Sequence, residues 1–215
     1  MNKYIDHKLA SQFKTSIPRL KKRLGIKPLP SENSTFGVEK NTIRAFRRWY
    51  KPLETYRSWA RNITENLKRR LPAEDISTPD GFLNWHEQLY GSLQRYWKKH
   101  QRSQLPLAHC YKLIDLYIKW LSAHDLQNTK CLEGIIRHAN CALDSKILTK
   151  LNKCYSMALP IYKPSMGHIH NQHTYAFCQS LITEFSIVAG CSRLLFDYWA
   201  WKKENGQQQN RGDRE

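Results

Sequence analysis

The chain has no run of about 18 apolar residues, the length a helix needs to cross a bilayer, so no membrane partner is expected. Glycine and proline are scarce, nine of each in 215 residues. An all-β protein needs many turns and draws heavily on both, so that class is disfavoured. The six cysteines, at 110, 131, 141, 154, 178 and 191, include no CxxC pair and no framework spacing. They stand singly within apolar helical patterns, as reduced core thiols do in a reducing compartment. The opening Met1-Asn2-Lys3-Tyr4-Ile5-Asp6 has a charge but no apolar stretch behind it, unlike a secretory signal, and a cytoplasmic location is expected. Glycine-rich phosphate loops, GxSxG elbows and cysteine–histidine motifs for nucleophilic catalysis are all missing. No cofactor is expected, and the balance leans away from an enzyme.

What the chain does have is apolar bulk and positive charge. Hydrophobic residues make up 40%, with seven Trp, eleven Tyr and seven Phe, which is ample for a core and excludes wholesale disorder. The net charge of +17 is concentrated in the first half. Residues 1–100 hold 21 basic against 9 acidic residues, and residues 101–215 hold 14 against 9. That asymmetry, with a sequence pI near 9.7, points to a polyanionic partner.

Apolar periodicity predicts an all-α protein, an irregular multi-helix bundle of about seven to nine helices. Residues 1–30 read as a basic N-terminal arm, amphipathic over 2–24 with a break at Pro18. Lys27-Pro28-Leu29-Pro30 reads as an extended linker, because each proline disfavours helix at the residue before it. Residues 31–204 read as one helical domain, with basic helices over 38–70 and a packed body over 78–204. Residues 205–215 read as a flexible tail. Within the domain, one helix is predicted from Val38 to Tyr50 and a second over 52–70, with Pro52 in its first turn. Thr78-Pro79-Asp80 carries N-cap, first-position proline and dipole-favouring carboxylate in order. Phe82, Trp85, Leu89, Leu93, Tyr96 and Trp97 follow at helical spacing. Pro106 opens a helix striped by Cys110, Leu113, Ile114, Tyr117, Ile118 and Leu121. Shorter helices are expected at 129–139 and 144–155. Asn171 caps a helix over 172–189 that Gly190 ends, and Ser192 caps a last one over 193–203.

The nucleic-acid-binding candidates come from this charge pattern. Arg19, Lys21, Lys22 and Arg23 form a tight cluster at the end of the arm. Lys40, Arg44, Arg47, Arg48 and Lys51 fall at offsets that share one side of a helix. Arg57, Arg61 and Lys68 do the same on the next helix, followed by Arg69 and Arg70. Like charges at i,i+4 slightly destabilise a lone helix, so a face that collects them without acidic partners suggests a phosphate-binding role. Phe46, Trp49, Tyr50, Tyr56 and Trp59 are interleaved with these cations; they read as core or as platforms for unpaired bases. No zinc-finger, RNP or KH signature distinguishes DNA from RNA. His168, His170 and His173 crowd a loop near Cys178 and are weak metal candidates, because their spacing matches no standard ligand motif.

One stretch resembles a known family. Ala139-Asn140-Cys141-Ala142-Leu143-Asp144-Ser145-Lys146-Ile147-Leu148 is similar to the Asp-containing helix start of helix-hairpin-helix DNA glycosylases. The later segments Tyr175–Ile182, Ala189–Arg193 and Phe196–Trp201 also resemble that family's C-terminal part. Leu113–Trp120, ahead of such an Asp segment, resembles a group of uncharacterised bacterial helical proteins. The resemblance spans about residues 113–201. It implies that Asp144 occupies the place of a carboxylate that stabilises positive charge on the sugar or activates the attacking group, acting on a flipped base. Residues 122–138 depart from the pattern, with Gly134 alone where a glycine-rich hairpin belongs, and no family-type lysine can be placed. Read from the residues alone, Asp144 is the N-cap of the helix that follows.

These readings converge on a nucleic-acid-binding helical protein. It is expected to be a non-catalytic subunit that joins other protein subunits in a larger bacterial assembly, such as a mobile-element or antiviral-defence system. The alternatives are a base-acting enzyme using Asp144 and a purely structural subunit whose aromatic faces bury against another chain.

Overall fold

The computed structural model describes residues 2–30, 34–69, 75–160 and 163–201. Its architecture is the all-α bundle expected, with eight α-helices among the described residues. They are α1 His7–Lys21, α2 Pro52–Arg69, α3 Pro79–Gln101, α4 Leu107–Leu121, α5 Thr129–His138, α6 Ser145–Cys154, α7 Gln172–Val188 and α8 Arg193–Ala200. Two-residue strands, β1 Lys27–Pro28 and β2 His124–Asp125, pair in parallel with Lys27 opposite His124.

Caps set most helix starts. Asp6, Thr78, Asn128, Asp144 and Asn171 each accept a hydrogen bond from a first-turn N–H with the side chain, satisfying donors that the helix leaves unpaired. Ser192 sits at the N-cap of α8 with extended backbone but makes no such bond. Gly190 closes α7 at φ 73°, a conformation that a side chain would strain.

Two apolar clusters fill the interior. The first joins α2, α3, most of α4 and α5 with Phe36, Val38, Phe46 and Trp49. The second joins α1, α6, α7 and most of α8 with Cys141 and Leu143. Helices α4 and α8 belong to both: Leu113, Ile114 and Tyr117 face one cluster and Ala108 and Tyr111 the other, as Leu194 and Phe196 do on α8.

The N-terminal segment corrects one expectation. Residues 1–30 do not stand apart as an arm. Phe13, fully buried, stacks on Trp199 at 4.7 Å between ring centroids and meets Phe196 edge-on at 5.8 Å. Ile5, Ala10 and Leu20 are buried with it. Burial of one apolar stripe outweighs the break expected at Pro18, which lies inside an unbroken α1. The Lys27–Pro30 linker is likewise docked, through β1 and through the Gly25 N–H, which donates to the Ser122 carbonyl at 2.9 Å.

The helix expected over 38–50 is also corrected. That stretch is a run of turns around a short 3-10 helix, Thr42–Phe46. At its start Gly37 (φ 82°) presses so close to α4 that a Cβ there would lie 2.3 Å from the Leu116 carbonyl oxygen. At its end Lys51, immediately before Pro52, takes the left-handed φ of 44° and turns the chain into α2. Between these anchors Phe46 and Trp49 dock against Trp97 and His109. Residues 205–215, expected as a tail, lie outside the described residues.

Two outcomes follow from this packing. Phe13→Ala is expected to cost about 3–5 kcal/mol in urea unfolding; a change below about 1 kcal/mol would mean that α1 is peripheral. Burial lifts the thiols of Cys131 and Cys178 to about 11 and that of Cys191 to about 12. The native protein near neutral pH is expected to react slowly with a thiol reagent, and the unfolded chain to titrate all six cysteines. Fast labelling of several thiols in the folded state would contradict that burial.

Candidate nucleic-acid interface

The folding corrections redistribute the predicted cations. A groove of about 1390 Å³ opens between the end of α1, the stretches 26–30 and 34–42, the C-terminal turn of α4 and α8. Arg19 and Arg23 line it, and Lys27, which sequence reasoning passed over, joins them from β1. Aromatic rings line it as well: Trp120 and His124 from α4 and β2, the histidine beside Lys27 in the β1–β2 pairing, with Tyr198 and Trp201 from the end of α8. Glu39 is the one carboxylate among the lining residues.

The groove's lysine and tyrosine are held in place. Asp197, completely buried, pairs with Lys119, whose ammonium lies over the Tyr198 ring at 4.6 Å from its centroid. The Tyr198 hydroxyl donates back to the Lys119 carbonyl at 3.1 Å. Lys119 is thus electrically matched by Asp197, and the groove's free positive charge comes from Arg19, Arg23 and Lys27. Among the described residues none of these three forms an ion pair.

The remaining candidates scatter around this groove. Lys21 and Lys22 are exposed beside it. Lys40, Arg44, Arg47, Arg48 and Lys51 are all exposed, but along the turns of 38–51 instead of on one helix face. Lys51 pairs with Glu54 at 3.3 Å. Arg61 is exposed on α2, Arg57 is half-buried there, and Arg70 lies outside the described residues. Lys68 and Arg69 line a different cavity of about 530 Å³ with Pro28, Trp85 and Asp125, and Lys68 is engaged by Glu65 at 2.8 Å. A third pocket, of about 510 Å³, lies between Arg48, Trp49 and Tyr50 on one side and His100 to Gln104 on the other. The interleaved aromatics divide: Phe46, Trp49, Tyr56 and Trp59 are core, while Tyr50 is 78% exposed.

Asp144 sits at the N-cap of α6, with one carboxylate oxygen accepting from the Lys146 and Ile147 N–H groups at 2.9 and 3.0 Å. Its other oxygen lies 3.7 Å from the Lys112 ammonium, and both side chains are buried. Burial lowers the Lys112 pKa, and the Asp144 charge opposes that shift. Asp144 lines none of the three cavities above. The approach to it, 139–143, is pinned by Gln179, which clasps the Cys141 N–H and carbonyl at 3.0 and 2.8 Å, and by Asp197, which accepts from the Ala142 N–H at 2.7 Å.

The histidines separate as well. His168 accepts from the Ser165 N–H at 3.1 Å in a reciprocal cap of a short 3-10 turn, and His170 and His173 are exposed. No cluster of three His, Cys, Asp or Glu side chains suited to a metal ion occurs among the described residues.

Lys119, Trp120, Tyr198 and Trp201 carried one legible signal, aromatic residues gathered at the C-terminal ends of two helices, whereas nothing in the sequence around Lys27 singled it out. Asp144→Ala is expected to cost about 2–4 kcal/mol, and Asp144→Asn about 1 kcal/mol less because asparagine retains the cap. Equal unfolding midpoints for the two variants would show that the cap contributes nothing. No protein-family model matches the chain, and neither a curated protein nor a solved structure is found similar to it.

Proposed function

We infer that the protein binds nucleic acid, and that the groove between α1, β1, α4 and α8 is where it does so. One observation carries the reading: three cations that form no ion pair among the described residues share a groove of about 1390 Å³ with four aromatic side chains. Guanidinium and ammonium groups neutralise phosphates and release counterions, while indole and phenol rings offer faces to bases. A small acidic or purely apolar ligand would use one half of this arrangement; a nucleic acid uses both. The exposed apolar side chains Phe177, Ile187 and Val188 on α7 favour a place for the chain as a non-catalytic subunit among other proteins.

Anisotropy titrations of labelled single-stranded DNA, single-stranded RNA and duplex DNA across a salt series test this. Binding at low salt is expected to weaken steeply as salt rises. Combining Arg19→Glu, Arg23→Glu and Lys27→Glu is expected to reduce low-salt affinity by more than about tenfold and to flatten the log–log salt slope by about 2, the value for three phosphates on a single strand. All three residues are exposed, so circular dichroism should be unchanged. Absence of binding to every nucleic acid at low salt would overturn the reading.

A further inference from the structure

The groove and the pocket at Arg48 are connected by one short piece of chain. Thr42 lies on the groove's edge, and Arg48 lies on the pocket's wall. They are six positions apart, mostly along the 3-10 helix Thr42–Phe46, so the two sites cannot be further apart along this path than about 22 Å. The exposed side chains on the intervening segment are Arg44, Ala45 and Arg47.

The pocket itself has the same two-part chemistry as the groove. Arg48 and Arg102 contribute guanidinium groups, and none of its lining residues is acidic. The Arg48 guanidinium is stacked 4.0 Å above the Trp49 ring, and the Trp49 indole N–H donates to the Ser103 hydroxyl at 2.9 Å, which fixes the floor. Gln101 donates to the Tyr50 carbonyl at 2.6 Å and to the Thr55 hydroxyl at 2.6 Å, holding Tyr50 at the rim with its ring exposed. Arg102 is placed there by a left-handed backbone (φ 53°) that ends α3. Among the described residues neither Arg44, Arg47, Arg48 nor Arg102 forms an ion pair.

We propose that groove and pocket are the two ends of one track for a single strand of nucleic acid, with Arg44 and Arg47 bridging the phosphates between them. This rests on the nucleic-acid reading above and adds the form of the ligand and the length it must have. A single strand is the occupant because rings wait at both ends: Tyr50 in the pocket, Trp120, Tyr198 and Trp201 in the groove. A duplex hides the base faces that those rings would stack on. At about 3.4 Å per stacked nucleotide the bridge takes at most roughly six nucleotides. With about three more at each end, a strand filling both is at most about 12 nucleotides long, within the range of known single-strand sites.

Labelled oligothymidylates of about 4, 8, 12 and 16 nucleotides test the track on the full chain at low salt. Wild type is expected to show a stepwise gain of more than about tenfold between the 4-mer and the 12-mer, and little beyond. Combining Arg48→Glu with Arg102→Glu is expected to abolish the step while leaving 4-mer affinity within about twofold, since the short strand sits in the groove. Tyr50→Ala, which removes an exposed ring and leaves the core intact, is expected to weaken the 12-mer by about fivefold or more. A step that persists in the arginine variant, no step in wild type, or a 12-base-pair duplex that binds as tightly as the 12-mer would each overturn the track. Groove-dependent binding with any of these results leaves the nucleic-acid reading standing, whereas failure of every oligonucleotide to bind removes both.

Discussion

Helix α4 is buried on almost every side and yet carries Lys112, Asp115 and Lys119 within eight positions. Isolated charges in such a place would cost several kcal/mol each, so the fold must bring a partner to every one of them. It brings them from four different elements. Asp144 at the start of α6 faces Lys112. His86 of α3 and Tyr175 of α7 meet the two oxygens of Asp115 at 2.9 and 2.7 Å, the tyrosine hydroxyl donating. Asp197 of α8 meets Lys119. Burial raises the Asp115 pKa, and the bonds from His86 and Tyr175 hold it back. Apolar contacts alone would let neighbouring helices slide along α4; these pairs specify which turn of each helix sits against which turn of α4.

Asp197 links that interior constraint to the surface. Its two oxygens serve different masters: one pairs with Lys119, the other accepts from the Ala142 N–H and so fastens the irregular crossing into α6. The same pairing lays the Lys119 ammonium over Tyr198 and leaves that ring on the groove wall. Groove shape therefore depends on a buried ion pair, while groove charge depends on Arg19, Arg23 and Lys27, which contribute little to the fold. Shape and charge can be altered separately, and this is what makes a charge-reversal result interpretable.

Helix boundaries were legible where a polar cap preceded an apolar stripe. Thr78, Asn171 and Asp144 each begin a helix within a residue of the expected position, because local side-chain bonds determine those starts and tertiary packing agrees with them. The segments that misled are those where distant contacts decide. Charge periodicity over 40–51 fits a helix, but Gly37 against Leu116 and Lys51 before Pro52 bend the chain at both ends, and Phe46 and Trp49 dock between. In α1 the cations obscured Phe13, Ala10 and Leu20, whose spacing marks a buried stripe. The candidate site was half legible: the cations were visible by composition, but the rings that share the groove come from α4, β2 and α8, far along the chain, and no local pattern announces that α8 returns to cover α1.

The disposition of unpaired charge bears on why so basic a chain folds compactly at all. Five lysine–carboxylate pairs and the His86–Asp115 hydrogen bond are formed among the described residues, and the three buried ones all involve α4. The exposed arginines of the groove and of the 44–48 segment instead form no ion pair among the described residues, although Glu39 and Glu54 lie near in sequence. Their mutual repulsion is screened beyond about 8–10 Å at physiological salt, so it burdens the folded state only modestly. That residual repulsion is relieved when a polyanion lies along them, whereas the buried pairs gain nothing from it. The proposed binding and the folding thus draw on separate sets of charges, one matched inside the bundle and one held open on its surface.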